Sequence, residues 1–182
     1  MKSQLLIIGL LLLPLLSHAG VKEDRQEVLD ESKEILQRLY KENPSTKAKI
    51  ARAAGYATFS NIGINIVFVS AGGGSGVVHN NKTGKNTYMS MGTAGIGIGL
   101  GIKDFRAVFI FHEYDAMESF IKNGWDFSGQ ADAAAKSGKK GAEGSAAGTV
   151  INGVSIYQMT ETGLALQATL QGTKYWKDKD LN

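Results

Sequence analysis

Gly92-Thr93-Ala94-Gly95-Ile96-Gly97-Ile98-Gly99-Leu100-Gly101-Ile102 alternates with a period of two. Glycine occupies 95, 97, 99 and 101, and Ala94, Ile96, Ile98, Leu100 and Ile102 fill the places between. That period is the signature of a β-strand. One face of this strand is aliphatic and the other carries no side chains. Each interior glycine costs roughly 0.5–1 kcal/mol relative to alanine, so four cost about 2–4 kcal/mol. Close approach by another backbone or by a ligand is the usual compensation. Two readings stay open: tight layer packing, or a shelf on which an acyl chain or a partner lies flat.

Upstream of this strand, Val77–Asn80 and Asn86–Met91 flank the loop Asn81-Lys82-Thr83-Gly84-Lys85 and predict a β-hairpin. Gly72-Gly73-Gly74-Ser75-Gly76 reads as a glycine-rich loop, but it matches neither GxxxxGK[ST] nor GxGxxG and predicts no phosphate cradle. Ile62–Val69 is apolar on both faces and predicts a buried strand. Further upstream, Val21–Glu42 has Val28, Leu29, Ile35, Leu36 and Leu39 at helical spacing, with an acidic outer face. Asn43-Pro44 predicts the start of a second helix over Ser45–Phe59, with Lys47, Lys49 and Arg52 on its polar side.

Downstream, Lys103-Asp104 reads as a turn and Phe105–His112 as a central strand, since both its faces are apolar. Asp115 and Glu118 form a capping-box pattern for a short helix with Met117, Phe120 and Ile121 inward; Gly124 is its stop. Gly129–Thr149 is rich in glycine and alanine and carries Lys136, Lys139 and Lys140. Val150–Met159 and Leu164–Gln171 predict strands, and Gly172–Asn182 a polar tail. Helices first, then six to eight strands with one helix inserted, imply an α+β fold: N-terminal helices packed on a largely antiparallel, glycine-rich sheet or barrel-like sandwich.

From Ala51 onward the sequence resembles the SYLF-domain family. Ala51-Arg52-Ala53-Ala54-Gly55-Tyr56-Ala57-Thr58-Phe59 is similar to its opening helix, and Gly72–Val78 to its glycine-rich turn and strand. Gly92–Phe120 is similar to its glycine-repeat strand and the segments after it; Gly163-Leu164-Ala165-Leu166 and Leu170-Gln171-Gly172 resemble its closing strand. Where members usually have an acidic–alanine stretch and a glycine–proline step, this chain has Lys136-Ser137-Gly138-Lys139-Lys140-Gly141. The resemblance implies a lipid-binding domain. Some fungal members bind actin, which is not expected of an exported bacterial protein.

Met1–Ala19 reads as a signal peptide: Lys2, the apolar run Leu5–Leu16, and Ser17-His18-Ala19 in the small-x-small pattern. The expected organisation is a leader over 1–19, an amphipathic helix over 20–43 and the SYLF-like domain over 44–182. The expected location is the periplasm, with peripheral contact to a membrane. The chain has no cysteine, which excludes disulfides and thiolate metal sites. Its formal net charge is +3 without a clustered basic stripe, so nucleic acid is not an expected partner.

No catalytic or metal motif emerges, and no cofactor is expected. His79 and His112 are lone histidines on strand ends, and there is no GxSxG, HExxH or EF-hand loop. The reading is therefore a non-enzymatic module for anionic phospholipid. Lys47, Lys49, Arg52, Lys136, Lys139 and Lys140 would attract phosphates, and Tyr56 and Trp125 would sit at the interface. The competing reading is an envelope module that contacts a protein partner without binding lipid.

Overall fold

The computed structural model describes residues 13–66, 69–96, 105–126, 149–151, 153–160, 163–165 and 173–182. Along the chain come α1 (Leu13–Glu42), α2 (Ser45–Arg52), β1 (Gly55–Ile66), β2 (Val69–Asn80), β3 (Asn86–Ile96) and β4 (Phe105–Phe111). Then follow α3 (Tyr114–Asn123), β5 (Trp125–Asp126), β6 (Thr149–Ile151), β7 (Val154–Thr160), β8 (Gly163–Ala165) and β9 (Thr173–Lys177). The nine strands among the described residues form one antiparallel sheet in the order β5-β9-β3-β2-β1-β4-β7-β6, with β8 paired to β7.

The sheet is strongly curled. Three strands separate β4 from β9, which at about 4.8 Å per step puts them roughly 19 Å apart in a flat sheet. Yet the rings of Phe109 on β4 and Tyr175 on β9 lie 5.1 Å apart, and Phe59 on β1 lies 4.6 Å from Tyr175. The inner face of this open barrel is filled by Phe59, Met89, Met91, Phe109, Phe111 and Ile156. Helix α3 closes it with Met117 and Phe120, both fully buried. The outer face is covered by the other two helices: Ile35 and Leu39 of α1 and Ile50 of α2 pack on Val108, Ile110, Tyr157 and Met159. Helices on a largely antiparallel sheet bent into a barrel are the architecture that the order of elements implied.

Glycine serves this curvature. Gly74 and Gly76 lie not in a loop but in the middle of β2, paired on one side with Asn61 and Phe59 and on the other with Met91 and Met89. A Cβ at Gly76 would run into the Phe59 ring and the Thr58 carbonyl. A bare position there lets the strand bend tightly over its neighbour. The Gly92–Ile102 strand is present as the end of β3, to Ile96; its remainder, 97–102, and the expected turn at Lys103-Asp104 lie outside the described residues. Gly92 lies on the face of Ala94 and Ile96, opposite to that of Gly95, and there an added Cβ would be 3.1 Å from Cη2 of the chain's own Trp176.

Several boundaries differ from expectation. The second helix stops at Arg52, and Gly55–Phe59 belongs to β1, not to a helix. The Asn81 side chain donates to the carbonyls of Ile50 and Ala53 at 2.7 and 3.0 Å, closing the helix end. Beyond it, Ala57 and Phe59 alternate with Tyr56 and Thr58 and pair with β4, which satisfies their backbone as a helix could not. Ile62–Val69 is not one strand; β1 ends at Ile66 and β2 starts at Val69. Helix α3 is preceded by extended Glu113, and Asp115 sits in its first turn, favourable to the helix dipole without capping it. Gly124 does end α3, with φ 66° and its N–H donated to Phe120.

Val150–Met159 is a hairpin: Ile151 pairs with Val154, and Gly153 turns the chain at φ 77°. The tail is not loose. Thr173–Lys177 forms β9 against β3, with Tyr175 buried. Asp178 then accepts from the Ser90 hydroxyl and from the amides of Asp180 and Leu181. The Asn182 amide group exchanges two hydrogen bonds with the Tyr88 main chain, at 3.1 and 2.8 Å. Arg25 of α1 donates to the Leu181 carbonyl at 2.8 Å and lies over the Tyr88 ring. Residues 178–182 thus strap α1 to the barrel.

Candidate functional site

Helix α2 presents the cationic candidates. Thr46 and Ile50 face the body, which leaves Lys47, Lys49 and Arg52 exposed. The helix is anchored at both ends. At its start the Asn43 carbonyl accepts from the Thr46 amide and hydroxyl, at 3.1 and 2.6 Å; at its end stands Asn81. Lys49 donates to the Tyr157 hydroxyl at 3.1 Å and lies 5.8 Å from that ring, so part of its work is holding α2 on β7. Among the described residues Arg52 donates to Ala48 of its own helix, at 3.1 Å, and its guanidinium has further donors. Lys47 extends into solvent. No acidic residue occurs between Pro44 and Asn61.

Tyr56 starts β1 beside this helix, on the outer face. It is half-buried, packs against the α1–α2 core and lies 5.2 Å from the His79 ring. Burial, with Tyr40 adding to it, raises its pKa, so it is a neutral phenol at any physiological pH. Lys49 and Arg52, at i and i+3, share one flank of α2, Lys47 emerges on the other, and Tyr56 packs beside the helix. Trp125 does not join them. Its ring lies 5.7 Å from Phe109 and 5.3 Å from Phe120, on the inner face of the sheet. Lys136, Lys139 and Lys140 lie outside the described residues.

Two histidine contacts bear on chemistry. His79 Nδ1 lies 2.7 Å from the Asn86 side-chain oxygen, which joins the two ends of the β2–β3 hairpin. His112 Nε2 lies 2.8 Å from the Ser155 hydroxyl. A serine activated by histidine also needs a group that orients the second ring nitrogen. Among the described residues none bonds His112 Nδ1. Nor does any group of three or more His, Asp or Glu side chains converge to hold a metal among them. No described helix is long and apolar enough to cross a membrane. Helix α1 runs without a break across the expected cleavage point after Ala19.

Sequence reasoning missed the pairing of Lys49 with Tyr157 and the polar side chains inside the barrel. It also missed Glu31 of α1. Burial, then the neighbouring Glu27, raises its pKa, against the pull of Arg106 on β4 and the Ser60 hydroxyl. Counting twos from Ala57 would have put Asn61 on the inner face with Phe59, but nothing local shows that it lacks a partner.

Comparison with known proteins adds identity to this geometry. A relative from Aeromonas veronii, Beta cell expansion factor A, is 36% identical over 167 residues. The match covers 92% of this chain and 62% of that protein, so the chain spans less than two thirds of the relative's length. The family model Ysc84, described as Las17-binding protein actin regulator, matches residues 92–182. That range takes in the glycine strand, the central strand, α3 and β9, and on this match the chain belongs to the Ysc84, or SYLF, family.

Proposed function

We propose that this chain is a non-enzymatic lipid-binding module, exported by the leader at 1–19 into the periplasm, that docks peripherally on anionic phospholipid. The observation that supports it most is α2: a short helix anchored at both ends, with Lys47, Lys49 and Arg52 outward and no acid in the surrounding segment. A basic residue near an anionic surface contributes about 1 kcal/mol. The lysines at 136, 139 and 140 extend the same chemistry. The acidic outer face of α1 would be turned from the membrane. Actin is not proposed as a partner.

The test is co-sedimentation of the chain from Gly20 with phosphatidylglycerol-containing and phosphatidylcholine vesicles at low and high salt. The expected result is partition to the anionic vesicles that salt weakens. Lys47→Glu with Arg52→Glu should lower it at least about thirtyfold, as two residues at ~1 kcal/mol each give. Binding equal for both vesicle types and insensitive to salt defeats the reading. Absence of vesicle binding, with capture of one envelope protein through the α2 surface, supports the protein-interaction alternative.

A further inference from the structure

The inner face of the barrel changes character along its length. Toward α3 it is apolar: Ala57, Phe109, Phe111, Val154 and Ile156. Toward the other end stand Asn61 on β1, Gln158 on β7 and Thr173 on β9, exposed by only 1%, 5% and 1%. Both polar atoms of the Asn61 side chain, Gln158 Oε1 and Thr173 Oγ1 have no hydrogen-bond partner among the described residues. Such groups are expensive to leave unmet, and a native core that keeps them generally completes them with something that is not protein.

The three converge. β1 is central in the sheet, β7 lies toward one flank and β9 toward the other. The curl that brings Phe109 to 5.1 Å from Tyr175 turns those flanks to face each other. The register places the three on successive inward levels. Gln158 is level with Ala107 and Phe59, Asn61 with Gly74, Met91 and Tyr175, and Thr173 one inward position beyond Tyr175. Gln158 has small strand neighbours on both sides, Ala107 and Ala165, whereas Asn61 stands between Gly74 on β2 and Phe105 on β4.

The chemistry of the trio selects its ligand. It offers N–H donors, a hydroxyl and carbonyl acceptors, and no charge. Among the described residues no Asp, Glu, Lys, Arg or His is buried. An ion would be desolvated there without compensation, whereas a hydroxyl group both gives and takes hydrogen bonds. The adjoining wall of Phe59 and Met91 is apolar. We propose that this end of the barrel binds an uncharged, hydroxyl-bearing head group carried on an apolar chain, of the monoacylglycerol class. The site is separate from the cationic surface of α2 and does not depend on it.

The test is titration of the full chain with 1-monooleoylglycerol, with oleate and with glycerol, read by native mass spectrometry and by the fluorescence of Trp125, whose ring lies 5.7 Å from that of Phe109. The expected result is a one-to-one complex with monooleoylglycerol, unchanged by salt. Asn61→Leu and Thr173→Val should each weaken it at least tenfold while melting no lower than the parent, because each removes a polar atom that has no partner among the described residues. Thr173→Val keeps the side-chain shape and serves if Asn61→Leu does not fold. Oleate bound as tightly overturns the requirement for a neutral head, and glycerol bound as tightly overturns the requirement for the chain. No complex with any of the three, or variants that bind like the parent, shows that water alone meets the trio and overturns the proposal.

Discussion

Gly76 and Gly92 show how one residue type serves two ends. At Gly76 an added methyl meets the Phe59 ring and a main-chain carbonyl of the next strand, both held by the core. Gly76→Ala should cost roughly 1–3 kcal/mol, as overpacking does. At Gly92 the neighbour is the rim of Trp176, which is 46% exposed and can swing away. Gly92→Ala should stay within about 0.5 kcal/mol, as surface changes do. Thermal denaturation of the two variants checks the contrast, and equal losses would refute it. Spacing marked Gly92 as a strand position but read Gly76 as part of a loop. It could not rank them, because the difference lies in which atoms face each one across the sheet.

At the scale of elements, local periodicity identified α1, α3, the β2–β3 hairpin and the central β4. It failed where one signal masked another. The alanines of 51–57 continue a helical composition past Arg52, while the stop comes from Asn81, distant in sequence. Asn152-Gly153 is a strong hairpin signal that the apolar run around it concealed. The polar composition of 172–182 hid both β9 and the strap behind it. That strap has a definite acid response. Burial disfavours the Asp178 carboxylate, but the Ser90 hydroxyl and the Leu181 and Asp180 amides outweigh it and lower its pKa below the ordinary 3.8. A lowered folded pKa means that the carboxylate stabilises the fold above about pH 4 and loses that contribution as pH falls through the folded value. Asp178→Asn should cost about 1 kcal/mol at pH 7 after allowance for solvent screening, and much less near pH 2. Hydrogen exchange at the Tyr88 amide, compared at the two pH values, reads the loss locally. A cost that does not fall in acid would count against the strap.

For the molecule as a whole, the α+β class followed from the order of helices and strands, and the closure of the sheet did not. Closure depends on Tyr175 reaching Phe59 and Phe109 from a strand more than sixty residues beyond β4, a pairing that no local pattern records. The candidate surface was half legible for the same reason. Charge along Pro44–Ser60 marked α2, whereas only the fold separates Trp125 from it and collects Asn61, Gln158 and Thr173. The strap also bears on how copies of the chain meet one another. β9 stops at Lys177, and beyond it β3 would offer its neighbours an unpaired backbone, the kind of edge on which fibrils and mispaired dimers grow. The Asn182 amide takes both Tyr88 main-chain groups in place of a strand and shares the carbonyl with the Asp178 N–H. Asn182→Leu should leave the monomer folded but prone to self-association, seen as concentration-dependent light scattering that the parent lacks; one side chain would then be what keeps this edge from recruiting its own kind.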